Sequence, residues 1–195
     1  MIGTHPVADL APLEYRYALN AAMSILAGEI APVVLCHIPE LECEVRQRLS
    51  YHGEWKLASA GLWVEPLVGT WTAELEYITH VLDGNARLVI LASRPLATLL
   101  SERKSWVGKP LGTQPGGLSK LYRALAGSGF SLEKSYGIHS ILAITLNLMS
   151  QTAARCGSPD LGDRLQFAAR LRYCTSGPLA ALSTLALLFA RRIAR

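Results

Sequence analysis

The stretch that most constrains the fold is Arg87-Leu-Val-Ile-Leu-Ala92. Its five consecutive apolar residues, two of them β-branched, need cover on both faces, as in a strand buried in a parallel sheet. A turn signal, Asp83-Gly84-Asn85, precedes it. Before that, Thr72 to Leu82 carries Leu75, Ile78 and Leu82 on one helical face. Two further runs have the same character. Pro32-Val-Val-Leu-Cys36 reads as a short buried strand, and Trp55 to Val64, bounded by Gly53 and Pro66, as a second. Pro39 suits the first turn of a helix over about 40–50, where Glu40, Glu42 and Glu44 precede Arg46 and Arg48 in the sense that the helix dipole favours. Helices alternating with apolar strands predict an α/β protein with a parallel sheet.

The flanking segments extend this pattern. Residues 9–28 predict a helix with Leu10, Leu13, Tyr17, Met23 and Leu26 as its apolar stripe and Gly28 as its stop. Arg94-Pro95 opens a helix to about Lys104, and 107–117 is a Gly- and Pro-rich loop. Its Gly112-Thr-Gln-Pro-Gly-Gly117 lacks the Gly-Lys-Ser/Thr ending of a phosphate loop. A helix over 118–126 closes at Gly127-Ser128-Gly129, and a strand is expected over 130–139. Helices follow over 141–155 and about 161–173, the latter capped by Ser158 or Asp160. The apolar segment from Pro178 to Ala190 is helical by propensity, but periodicity does not separate a buried helix from a buried strand there.

At 195 residues, 50% of them hydrophobic and 17% charged, the chain forms one domain over 1–195, and disorder is excluded. Cys36, Cys43, Cys156 and Cys174 form no C-x-x-C pair, and the first residues resemble no secretory signal, so a reduced, cytoplasmic setting is expected. No apolar run reaches the roughly 20 residues of a membrane span, so no stable membrane insertion is expected. Charge is unevenly placed. Residues 1–97 hold 6 Lys and Arg against 11 Asp and Glu, a net −5, whereas 98–195 hold 13 against 4, a net +9. Such polarity suits an anionic ligand or a self-complementary association, here a homodimer. The scattered basic residues lack interleaved aromatics, which disfavours nucleic acid. The Leu-rich C-terminal segment with Arg191, Arg192 and Arg195 is also compatible with an anionic membrane surface.

Three stretches resemble the second half of class I S-adenosylmethionine-dependent methyltransferases. Ile78-Thr-His-Val-Leu-Asp83-Gly-Asn-Ala-Arg87-Leu-Val-Ile-Leu91 is similar to that family's helix, turn and fifth strand. Leu121-Tyr-Arg-Ala-Leu-Ala-Gly-Ser-Gly129-Phe-Ser-Leu-Glu-Lys-Ser-Tyr136 looks like its next helix and strand, and Thr184-Leu-Ala-Leu-Leu-Phe-Ala-Arg-Arg192 like its closing antiparallel strand. The resemblance covers about 120 residues. It implies a three-layer, Rossmann-like methyltransferase-type fold with a shortened, mostly parallel sheet of about five strands and the last antiparallel. Residues 140–177 become a helical insertion before that strand. The implied chemistry is methyl transfer from S-adenosylmethionine to a small-molecule substrate, driven mainly by positioning.

The first half departs from the family. A glycine turn should follow the first strand so that the backbone can approach the cofactor, but Cys36-His37-Ile38-Pro39-Glu40 stands there, and Pro39 brings no N–H. The strand whose terminal acid would hold the ribose is also missing. Cofactor binding is therefore expected to be impaired or lost. The alternative is a non-catalytic scaffold or subunit that self-associates through its basic C-terminal half and helical insertion.

Any site is expected beyond the carboxyl ends of the parallel strands. That edge carries Cys36 and His37, Glu65 and Ser93, the candidates for cofactor contact, with Glu65 the best acid for a hydroxyl or amine. His139 and Tyr136 on the late strand are the candidate catalytic groups, His139 as a general base. Cys36, His37 and Cys43 fit no zinc spacing, so no metal is expected.

Overall fold

The computed structural model describes residues 13–26, 32–39, 41–42, 45, 57–100 and 108–193. It contains helix α1 (Leu13–Leu26), strands β1 (Val33–Cys36) and β2 (Ala58–Val64), helix α2 (Trp71–Val81), strand β3 (Leu82–Ser93), helices α3 (Pro95–Leu100) and α4 (Gly117–Gly127), and strand β4 (Phe130–Ser140). Helices α5 (Ile141–Arg155) and α6 (Pro159–Leu171), strand β5 (Cys174–Ser176) and strand β6 (Ser183–Arg192) complete it. Cys43, Trp55, Arg195 and much of the helices expected over 40–50 and 94–104 lie outside the described residues.

One sheet runs β1-β2-β3-β6-β4-β5. Strands β1, β2 and β3 pair in parallel, β6 enters antiparallel between β3 and β4, and β5 is antiparallel on β4. This order, with an antiparallel closing strand inside the sheet and helices on both faces, defines a Rossmann-like fold of the methyltransferase type. The sheet has six strands rather than five, because the insertion ends in a three-residue strand paired through Tyr136↔Ser176 and Ile138↔Cys174.

Each face of the sheet builds its own core. On one face Tyr15, Leu19 and Leu26 of α1 pack over Val89, Leu91 and Leu187. On the other, Leu75 and Ile78 of α2 and Leu121 and Leu125 of α4 cover Leu88, Ile90 and Leu188. The alternation of odd and even positions along β3 divides its side chains between the two cores, so every residue from Leu88 to Ser93 is buried. The segment over 183–192 is a central strand with Thr184 to Leu188 buried, which overturns its helical propensity.

Three local expectations need correction. The buried face of α1 is Tyr15, Ala18, Leu19, Ala22 and Leu26, and Tyr17 is 48% exposed; two alanines bring the helix close to the sheet. Asp83-Gly84-Asn85 forms no separate turn. It lies inside β3, where pairing jumps from Ala58↔Leu82 to Ala60↔Arg87, and the flexible residues are taken up in that irregularity. The N-cap of α6 is Ser158, but its side chain makes no capping bond; Pro159 starts the helix and Asp160 sits in its first turn. No described helix is long and apolar enough to cross a membrane.

Candidate functional site

The carboxyl ends of β1, β2, β3 and β4 form one crest. Leu185 fixes its level, since β6 pairs that residue with Ser93 on one side and Ile138 on the other. The described non-glycine residues with positive φ both lie on this crest: Glu65 (φ 60°) just after β2 and His139 (φ 56°) near the end of β4. Left-handed backbone at such residues persists only where surrounding contacts hold it, and those contacts are present.

Glu65 is 1% exposed and Ser93 fully buried. The Glu65 N–H donates to the Leu91 carbonyl at 2.7 Å. The Ser93 N–H lies 3.1 Å from both carboxylate oxygens of Glu65. From above, the Tyr15 hydroxyl of α1 donates to Glu65 Oε2 and sits 2.7 Å from Ser93 Oγ. The sheet supplies the acid and the serine, the helix supplies the phenol, and the three satisfy one another without solvent. Gly112 presses the following loop onto the same place, where a Cβ would run into the Ser93 carbonyl.

A second group stands at the ends of β1 and β2. The Trp63 indole, buried in the core, donates Nε1–H to Glu74 Oε2 at 2.8 Å, and Glu74 Oε1 is 2.9 Å from His37 Nε2. The His37 and Glu74 side chains are 26% and 13% exposed. Glu74 thus serves as the polar partner that a buried indole needs and holds the imidazole at the rim. Cys36 is half-buried, and its thiol donates to the Ile38 carbonyl at 3.4 Å. Arg94, 9% exposed, follows Ser93; burial lowers its pKa from the ordinary value, and its contact with Tyr122 offsets part of that shift.

The late-strand candidates are not brought together. The His139 ring stacks on Tyr173 at 5.3 Å between centroids, and its backbone N–H donates to the Tyr173 carbonyl. Tyr136 lies edge-on to Phe189 at 5.9 Å. It lines a groove of about 380 Å³ beside Tyr17 and Ile25 of α1, on the sheet face rather than the crest. Among the described residues no group of three or more His, Cys, Asp or Glu is placed to hold a metal ion.

Sequence reasoning located Glu65, Ser93 and His37 at one edge but missed Tyr15, Glu74 and Trp63. Trp63 carried a readable signal, because a tryptophan in an otherwise apolar strand needs an acceptor. Tyr15 carried none, since only the docking of α1 brings it to the crest.

No protein-family model and no curated protein matches the chain. Solved structures do. The [4+2]-cyclase SpnF aligns at 14% identity and TM-score 0.38, over 91% of this chain and 72% of SpnF. The plantazolicin methyltransferase BamL, in complex with a triazolic desmethylPZN analog and SAH, aligns at 9% identity and TM-score 0.35, over 70% and 54%. The Burkholderia thailandensis 1,6-didemethyltoxoflavin-N1-methyltransferase, with bound 1,6-didemethyltoxoflavin and S-adenosylhomocysteine, aligns at 12% identity and TM-score 0.37, over 98% and 93%.

Proposed function

We propose that this chain is a divergent methyltransferase-fold protein that has lost its nucleoside cradle and works as a non-catalytic scaffold. The observation that carries this reading is the Tyr15 hydroxyl seated between Glu65 and Ser93. Those two crest residues are the ones best suited to meet a cofactor hydroxyl or amine, and both are closed off from solvent by their own partners. The turn after β1 supports the same conclusion. Ile38 and Leu41 turn into the core beneath α1, and Pro39 offers no donor, so the backbone there does not suit a nucleoside. S-adenosylmethionine therefore does not fit this crest, and no chemical step is assigned to it.

The test is isothermal titration of the full chain with S-adenosylmethionine and with S-adenosylhomocysteine. The expected result is no heat of binding up to about 1 mM ligand, the weak end of the affinity scale. Micromolar binding of either compound would restore the enzyme reading and sink this one.

A further inference from the structure

Helices α5 and α6 form a hairpin that packs mainly on itself. Its seam is made of small residues: Gly162 lies against Ala154 and the Ser150 carbonyl, and Ser150 Oγ donates to the Gly162 carbonyl at 2.7 Å. A seam this narrow leaves large apolar side chains in water. Ile141, Leu148 and Met149 on α5 are 42%, 59% and 52% exposed; Leu161, Phe167 and Leu171 on α6 are 51%, 64% and 66% exposed. So many exposed large apolar groups on one two-helix unit mark an interaction surface.

The charges on α6 select the partner. Its buried residues are Gly162 and Ala169, and helical spacing puts Phe167 and Leu171 on the opposite side, one turn apart. Asp163 and Arg170, both exposed and seven residues apart, lie along one edge of that side, on which the exposed Asp160 and Arg164 also fall. When two copies of such a helix meet antiparallel about a twofold near residues 166–167, the same edge of each helix comes together. Asp163 of each copy then faces Arg170 of the other. In a parallel pairing the twofold runs along the helix axes and sends the two copies of this edge to opposite sides, so the Asp163–Arg170 attractions are not made. The face is complementary to itself in the antiparallel orientation, as an isologous contact requires.

We propose that the outer face of α6 is a self-association surface on which a second copy of this chain docks antiparallel, with Phe167 and Leu171 at its centre and the Asp163–Arg170 pairs at its edge. The inference extends the scaffold reading by naming the partner. The two fail separately: cofactor binding would sink the first and leave the dimer, whereas a monomer would sink the second and leave the titration result.

Sedimentation equilibrium of the full chain at low ionic strength is the test. The wild type is expected to dimerise. Phe167→Glu combined with Leu171→Glu should weaken the dimer at least about 100-fold, since central apolar anchors dominate such contacts. Its circular dichroism and urea midpoint at sub-micromolar protein should stay as in the wild type, because both residues face water in the monomer. Asp163→Arg alone and Arg170→Asp alone should each weaken association about tenfold by replacing two attractions with two repulsions. The two together should return it to within about threefold of wild type. Three results overturn the proposal: a monomer at about 100 μM, a dimer indifferent to Phe167 and Leu171, or a double reversal as weak as the single ones. A monomer would point instead to an unlike protein or a lipid surface as the occupant of this face.

Discussion

The crest of the sheet and the α5–α6 hairpin treat their side chains in opposite ways. At the crest, polar groups are buried and satisfy one another: Tyr15, Glu65 and Ser93 exchange hydrogen bonds where a ligand would sit in an open α/β sheet. On the hairpin, apolar groups stay in water: Phe167 and Leu171 are about two-thirds exposed, at 64% and 66%. A region that has answered its own hydrogen-bonding demand holds the monomer together. A region that has left its apolar demand unanswered is available to something else. The contrast ties internal stability to the crest and leaves the hairpin with the surface proposed for association.

The sharpest way to break that contrast is Glu65→Ala. It leaves the Ser93 N–H buried without its acceptor and limits the Tyr15 hydroxyl to its contact with Ser93 Oγ, and should lower unfolding free energy by about 2 kcal/mol, since a stranded group costs about 1–3 kcal/mol. Urea unfolding followed by tryptophan fluorescence reads this directly. A loss under about 1 kcal/mol would mean that water reaches the crest and that it is not closed. Glu65→Gly refines the same measurement. It strands the same Ser93 N–H but accepts a φ of 60° without Cβ strain, so it should be about 1 kcal/mol more stable than the alanine variant.

How much of this was legible beforehand differs between the two regions for physical reasons. The parallel strands, the helix 141–155 and the site edge were readable because Leu88 to Ala92 and the Gly and Pro punctuation act locally. The strand over 183–192 was not readable from propensity, since alanine and leucine favour helix; only its place between β3 and β4 makes it a strand. The face of α1 was misread because an apolar stripe counted Tyr17 and passed over Ala18 and Ala22, whose small size matters only against a sheet. Glu65 and Ser93 were found by position on the edge, but Tyr15 belongs to another element about 50 residues earlier, and no local pattern links them.

Tyr15→Phe sharpens the comparison with a smaller change. The ring stays in the core and only the hydroxyl leaves, while Glu65 keeps the Ser93 N–H. The expected loss is about 1 kcal/mol, the range for one hydrogen bond. A loss equal to that of Glu65→Ala would make Tyr15 the whole support of the carboxylate. A neutral result would detach α1 from the crest and remove the observation on which the closed site stands.

The smallest effect belongs to the other region. Leu148 is 59% exposed on α5, away from the small-residue seam with α6. Leu148→Gln keeps helix propensity and removes only apolar surface that water already reaches, so at sub-micromolar protein its unfolding free energy should stay within about 0.5 kcal/mol of wild type. The same chemical step in a core would cost several kcal/mol, which gives the measurement its contrast. A loss above about 1.5 kcal/mol would show that this face of the hairpin is covered in the folded monomer. Its apolar groups would then serve the chain that carries them, the distinction between a self-satisfied crest and an unsatisfied hairpin would collapse, and the case for a second copy on α6 would weaken with it.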